Sequence, residues 1–224
     1  MSLKLVIFDV DGTLVDSQAD ILGAMTRSFE TVACPVPSRD AILGIVGLSL
    51  PQAMARLAPD SDQDTRDALV AGYKEAYFDI RRQGGADSSP LYPGIRDVLE
   101  HLHAQDEILL GVATGKSRRG LEALLDARDL RRYFITTQVA DDHPSKPHPS
   151  MLLTALSETG VAAGDAVMIG DTSYDIDMGH AAGMVAIGVT WGYHPASQLR
   201  HAHALVDTTD TMMQAIAQIQ GGRA

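Results

Sequence analysis

KLVIFDVDGTLVDS, residues 4–17, opens with an apolar run from Leu5 to Phe8 and then sets two carboxylates, Asp9 and Asp11, two residues apart. Near a strand end that spacing can aim both side chains the same way, where like charges repel. A run so continuous in large aliphatic residues is the pattern of a strand covered on both faces. It returns at EILLGVAT (107–114), YFITTQV (133–139), DAVMIGD (165–171) and MVAIGVT (184–190), and weakly at ALVD (204–207). Amphipathic stretches such as SRRGLEALLDA and PSMLLTALSETG lie between them. The alternation predicts an α/β fold, a doubly wound, mostly parallel sheet with a Rossmann-like core.

One region breaks the rhythm. From Ser17 to Gln83 the periodicity is helical. Ile21, Leu22, Met25, Phe29 and Val32 fall on one helical face, and Leu69, Val70, Tyr73, Tyr77 and Ile80 on another. Ser17 and Asp20 have the spacing of a capping box. The segment ends in GGADSSPLYPG (84–94), the most turn-rich stretch of the chain, before IRDVLEHL resumes a helix. The expected organisation is an α/β core of residues 1–16 and 90–224 with an inserted all-helical cap domain, residues 17–89. Hinges are expected near Asp16–Ser17 and Gly85–Pro93, and GIVGLSLPQ (44–52) is the candidate specificity loop of the cap.

Hydrophobic residues make up 45% of the 224 and charged residues 21%, enough to bury a sizeable core. A formal charge of −11 and the lack of a basic run argue against a nucleic-acid partner. No apolar stretch reaches membrane-spanning length, and the acidic motif interrupts the first one too early for a signal peptide. Cys34 is the single cysteine, so no intrachain disulfide forms and a reducing compartment is favoured. The expectation is a cytoplasmic protein without a membrane partner, a monomer or small homo-oligomer. An anionic small substrate stays admissible, because a metal ion or one lysine can invert the local field.

Ligands of open α/β sheets bind outside the carboxyl ends of the strands. Those ends carry Asp9 and Asp11, then Thr114, then Lys146 in the loop ADDHPSKPHPS, then Asp171 and Asp175. If the strands are parallel, carboxylates, a hydroxyl and an amine converge on one crevice. That set suits phosphoryl transfer with a divalent metal. Clustered carboxylates tolerate one another around a hard cation, Mg2+ takes a few oxygen ligands, and a lysine and a threonine can hold phosphoryl oxygens. A carboxylate can also act as nucleophile, with the second one handling the proton.

Other readings compete. A DG between apolar runs also signals a tight β-turn. Thr172 and Asp175 form a capping box whatever else they do. GVATGKS lacks the first glycine of a phosphate-binding P-loop, since residue 110 is Leu110. His143 and His148 have no third ligand of matching spacing and read as loop histidines. Trp191 and Tyr193 follow the fifth strand and read as packing.

In this order, DVDGTLVDS, the Thr of VATGKS, the Lys of SKPHP and GDTSYDIDMGHAAG resemble the four motifs of the haloacid dehalogenase-like hydrolases. The branch with a helical cap after the first motif, which includes phosphoglycolate phosphatases, is the most similar. The resemblance implies a Mg2+-dependent phosphatase acting on a small phosphorylated metabolite, a phosphoglycolate-like phosphomonoester, through a covalent aspartyl-phosphate. It implies Asp9 as nucleophile, Asp11 as general acid and base, and Thr114 and Lys146 as phosphate holders. It places Mg2+ on Asp9, the backbone carbonyl of Asp11 and Asp171, with Asp175 in support. A sugar-phosphate mutase of the same fold and a non-enzymatic phosphate-sensing switch are the alternatives.

Overall fold

The computed structural model describes residues 3–85 and 88–221. The aliphatic runs form β1 (Lys4–Phe8), β2 (Ile108–Thr114), β3 (Phe134–Val139), β4 (Ala166–Gly170), β5 (Val185–Val189) and the short β6 (Ala204–Val206). Among the described residues they make one six-stranded sheet in the order β3-β2-β1-β4-β5-β6, with every pairing parallel. Leu5 of β1 registers with Leu109 on one side and Ala166 on the other. The winding reverses between β1 and β4, and a crevice opens at their carboxyl ends.

After β1 the chain enters a helical unit of α1 (Gln18–Thr31), α2 (Arg39–Leu43), α3 (Leu50–Leu57) and α4 (Gln63–Gly84). Ile21, Met25 and Phe29 of α1 pack with Ile42, Met54 and Leu69 in a core separate from that of the sheet. Each such side chain contributes about 1.5–3 kcal/mol when removed from water. The unit docks on the strand-end side of the sheet, where Tyr174 and Tyr193 join its apolar cluster. The outgoing and returning connections run side by side: Asp16 N–H donates to the Pro90 carbonyl at 2.8 Å and Tyr92 N–H to that of Leu14 at 3.0 Å. Ala86 and Asp87, inside the expected return hinge, lie outside the described residues.

The capping box expected at Ser17 and Asp20 does not form. Ser17 precedes α1 without a side-chain cap, because its hydroxyl donates to Asp11 instead. The Asp20 carboxylate accepts from the hydroxyls of Ser88 at 2.5 Å and Ser89 at 2.6 Å, tying α1 to the return connection. Long-range charge-assisted bonds win over a local cap of ordinary strength.

Among the described residues, five further α-helices cover the sheet. α5 (Ile95–His103), α6 (Arg118–Ala127) and α9 (Thr209–Gly221) lie over one face, α7 (Ser150–Thr159) and α8 (Ser173–Ala181) over the other. Side-chain alternation along β1 feeds both: Val6 and Phe8 pack with Leu99 and Leu121, Leu5 and Ile7 with Met151 and Met178. No helix among the described residues is long and apolar enough to cross a membrane.

Candidate active site

Asp9 directly follows β1 and Asp171 directly follows β4. The two strands are paired, Phe8 against Ile169, and the Asp9 N–H donates to the Ile169 carbonyl at 2.9 Å. Parallel pairing therefore delivers both carboxylates to one spot, both buried. Asp175 arrives from the first turn of α8. The Thr172 capping box holds that turn, and Asp175 Oδ2 accepts from the Thr172 hydroxyl at 2.7 Å and its N–H at 3.1 Å. Oxygens of Asp9, Asp171 and Asp175 all lie within 4.8 Å of one another.

Lys146 comes from the loop after β3 and is 0% exposed. Its Nζ donates to Asp9 Oδ1 at 2.8 Å and to Asp175 Oδ1 at 2.6 Å. One ammonium thus bonds two of the three clustered carboxylates. Burial, then repulsion from neighbouring carboxylates, pushes the Asp9 carboxyl up to about 7 against the opposing pull of Lys146. Burial and the charges of Asp9 and Asp175 drive Asp171 well above the carboxylate range. Asp9 Oδ2 is buried without a hydrogen-bond partner, a costly state that a cation would relieve. Hard oxygen donors, excess negative charge and an orphaned carboxylate oxygen fit a divalent cation such as Mg2+. Asp175 Oδ1 accepts from Lys146 and Oδ2 from Thr172, so this carboxylate also places Lys146 and the start of α8.

Asp171 is aimed from two sides. Its Oδ1 accepts from the Thr13 hydroxyl at 3.0 Å and its Oδ2 from the Tyr193 N–H at 2.8 Å. Glycine is required beside it. Gly12 has φ +84°, and a Cβ there would stand 2.2 Å from Asp171 Oδ2; a Cβ on Gly192 would stand 2.2 Å from Asp171 Cβ.

Asp11 is held separately. Its Oδ1 pairs with Lys116 Nζ at 2.8 Å and accepts from the Ser17 hydroxyl. Lys116 also donates to the Tyr77 hydroxyl of α4 at 2.8 Å. Its burial opposes the charge, but Asp11 and Tyr77 outweigh that and hold the ammonium above its ordinary range. Thr114 is buried at the end of β2, and its hydroxyl accepts from the Lys116 N–H at 3.2 Å, leaving its own proton available. A cavity of about 720 Å3 opens at Asp9, Asp11 and Thr114 and continues between α6 and the helical unit.

The structure thus gathers oxygens of Asp9, Asp171 and Asp175 within 4.8 Å of one another and bonds Lys146 to Asp9 and Asp175, with Asp11 and Thr114 on the cavity beside them. Lys116, which the sequence does not single out, and Tyr193 belong to the constellation. Lys116 stands two residues past Thr114, just beyond the end of β2. Tyr193, read from sequence as packing, follows the end of β5, and its hydroxyl also accepts from the Ser17 N–H at 3.0 Å. His143 bonds Ser150 Oγ and Gln138 Oε1, and His148 accepts from the Ser150 N–H, so both organise the start of α7.

The helical unit is latched over this site. Ser49 N–H donates to Ser145 Oγ at 2.8 Å, and the Tyr174 hydroxyl to the Gly44 carbonyl at 2.9 Å. His194 accepts the Ser173 N–H on Nδ1 at 3.1 Å, which leaves Nε2 to donate to the Gly44 carbonyl at 3.3 Å. Burial pushes its imidazole below the ordinary histidine range, partly offset by the Gly44 bond.

A parallel sheet with buried carboxylates at its switch point and a helical unit over them defines a class of capped hydrolases. The chain belongs to the haloacid dehalogenase-like hydrolase family, whose model matches residues 6–189. It is 39% identical over 210 residues to a "Probable phosphatase IndB" of Dickeya dadantii, covering 91% of this chain and 89% of that one. A phosphoglycolate phosphatase of Vibrio parahaemolyticus is 27% identical over 221 residues, 96% of each chain. The fold matches the crystal structure of "a predicted phosphoglycolate phosphatase" from Haemophilus somnus with a TM-score of 0.83 at 24% identity, covering 96% and 99% of the two chains.

Proposed function

We propose that the protein is a Mg2+-dependent phosphatase that hydrolyses a small phosphomonoester through a covalent aspartyl-phosphate on Asp9. The observation that carries this reading is the state of the Asp9 carboxylate: Oδ1 is anchored by Lys146, Oδ2 is buried and unpaired, and the residue lines the cavity. A carboxylate held in a fixed orientation at the cavity is an oriented nucleophile. The relatives named as phosphatases support the same chemistry.

In this mechanism Asp9 attacks phosphorus and the ester oxygen leaves. Asp11 gives that oxygen its proton, then takes one from the water that hydrolyses the acyl phosphate. Thr114 and Lys146 hold the phosphoryl oxygens. Asp9, Asp171 and the backbone carbonyl of Asp11 would hold the cation, with Asp175 placing Lys146. When bound, Mg2+ supplies neutralisation of the charge on the phosphoryl oxygens. The latched helical unit excludes bulk water from the reacting groups.

The test is phosphate release from p-nitrophenyl phosphate with and without Mg2+. Turnover that needs Mg2+ and is lost in Asp9→Asn is the expected result. Retained turnover in that variant contradicts the assignment. Incubation with a hexose 1-phosphate separates hydrolysis, which frees phosphate, from mutase action, which gives an isomer.

A further inference from the structure

The cavity beyond Asp9 is much larger and less polar than a two-carbon phosphoglycolate requires. Cavities that enclose drug-sized ligands measure about 300–1,000 Å3, and this one measures about 720 Å3. Ile21, Met25, Leu48, Tyr73 and Phe78 line it from the helical unit. Phe78 is 48% exposed at this wall, with the Arg119 guanidinium of α6 resting 4.3 Å from its ring centroid.

The same wall carries the opposite chemistry. Lys74, Arg81, Arg82 and Arg119 line it too, while among the described residues Asp141 is the one acidic lining residue apart from Asp9 and Asp11. In a chain of formal charge −11 this is a local inversion of sign. Arg81 Nη1 is buried and has no hydrogen-bond partner. A guanidinium has only donors to offer, so an acceptor is what this position lacks.

We propose that the substrate is a phosphomonoester of a bulky, flat, largely apolar alcohol that ends in a carboxylate. The apolar body lies against Tyr73 and Phe78, and the carboxylate takes the guanidinium of Arg81. This rests on the phosphatase reading for the chemistry and departs from a phosphoglycolate-like substrate in the leaving group.

Three primary-alcohol esters test it without bias from leaving-group reactivity: phosphoglycolate, 2-(2-naphthyl)ethyl phosphate and its 6-carboxy derivative. With Mg2+, kcat/KM for the naphthylethyl ester should exceed that for phosphoglycolate by about a hundredfold, and the carboxylate should add about tenfold more. Arg81→Gln should erase the carboxylate increment. Ala123→Trp, at an exposed α6 position on the cavity wall, should shrink the preference for the naphthylethyl ester. Calorimetric titration of Asp9→Asn with the same esters reads affinity without turnover. Phosphoglycolate equal or superior in both turnover and binding overturns the proposal. The naphthyl preference in binding with turnover of none of the esters supports the ligand class and overturns the phosphatase reading.

Discussion

Lys116 pairs with Asp11 at 2.8 Å just as Lys146 pairs with Asp9 at 2.8 Å, so each carboxylate of the opening motif has its own ammonium. The two like charges are placed together because each is separately compensated. The pairs differ in reach. Lys146 ties Asp9 inward to Asp175, whereas Lys116 ties Asp11 outward to Tyr77 of α4.

Replacing Lys116 with Met leaves the buried Asp11 carboxylate without its cation. Losing one member of a buried pair costs about 3 kcal/mol or more, so Lys116→Met should lower unfolding stability by that order. Tyr77→Phe removes one hydrogen bond and should cost only about 1 kcal/mol. Urea denaturation of the two variants checks the order. Equal small losses would show that Lys116 is not needed to compensate Asp11.

Mg2+ should stabilise the folded protein whether or not substrate is present. At a hundred times its dissociation constant a ligand adds about 2.7 kcal/mol, or roughly 5–10 °C in a domain of this size. Asp171→Asn should abolish the rise. An identical rise in wild type and variant would place the ion elsewhere.

Gly12→Ala tests the close approach to Asp171. The left-handed backbone alone costs a non-glycine residue about 1–2 kcal/mol, and the added Cβ, 2.2 Å from Asp171 Oδ2, forces that carboxylate to move. The variant should be destabilised and should lose the Mg2+-induced rise in melting temperature together with phosphatase activity. An active variant that keeps the rise would mean Asp171 need not hold this position.

His194 should make stability depend on pH. Its folded-state pKa lies below the unfolded value near 6.5 because burial disfavours the imidazolium. The neutral ring's contribution is therefore complete above the unfolded pKa and is lost as pH falls through the lower folded one. Between pH 8 and pH 5 the stability advantage of wild type over His194→Gln should shrink. An advantage that stays constant over that range would exclude the mechanism.

The β-strands were legible because burial on both faces writes nearly unbroken aliphatic runs, and the parallel arrangement then follows from helices between them. Asp9, Asp171 and Lys146 were legible as a set for the same reason: strand ends of a parallel sheet share one edge. Ser17 and Asp20 misled because a serine and an aspartate three apart serve a helix end or a distant partner equally well, and Asp11, Ser88 and Ser89 are invisible locally. Lys116 and Tyr193 left no periodic trace. One is a lysine in a polar turn, and the other acts partly through its backbone N–H, which any residue could supply. Part of the cavity wall was legible, because the glycines of the loop 44–52 mark a close approach and Ile45, Val46, Gly47, Leu48 and Leu50 line the cavity; the share on α1 and α4 was not, because apolar residues there look the same whether they face a core or a void.

The covalent role of Asp9 is tested most directly by acid-quenching the enzyme within a single turnover of a phosphomonoester labelled in its phosphoryl group, then mapping the label by peptide. The predicted result is a hydroxylamine-labile label on the peptide containing Asp9, absent from Asp9→Asn. Complete conversion of substrate with no label reaching Asp9 at any time would contradict it.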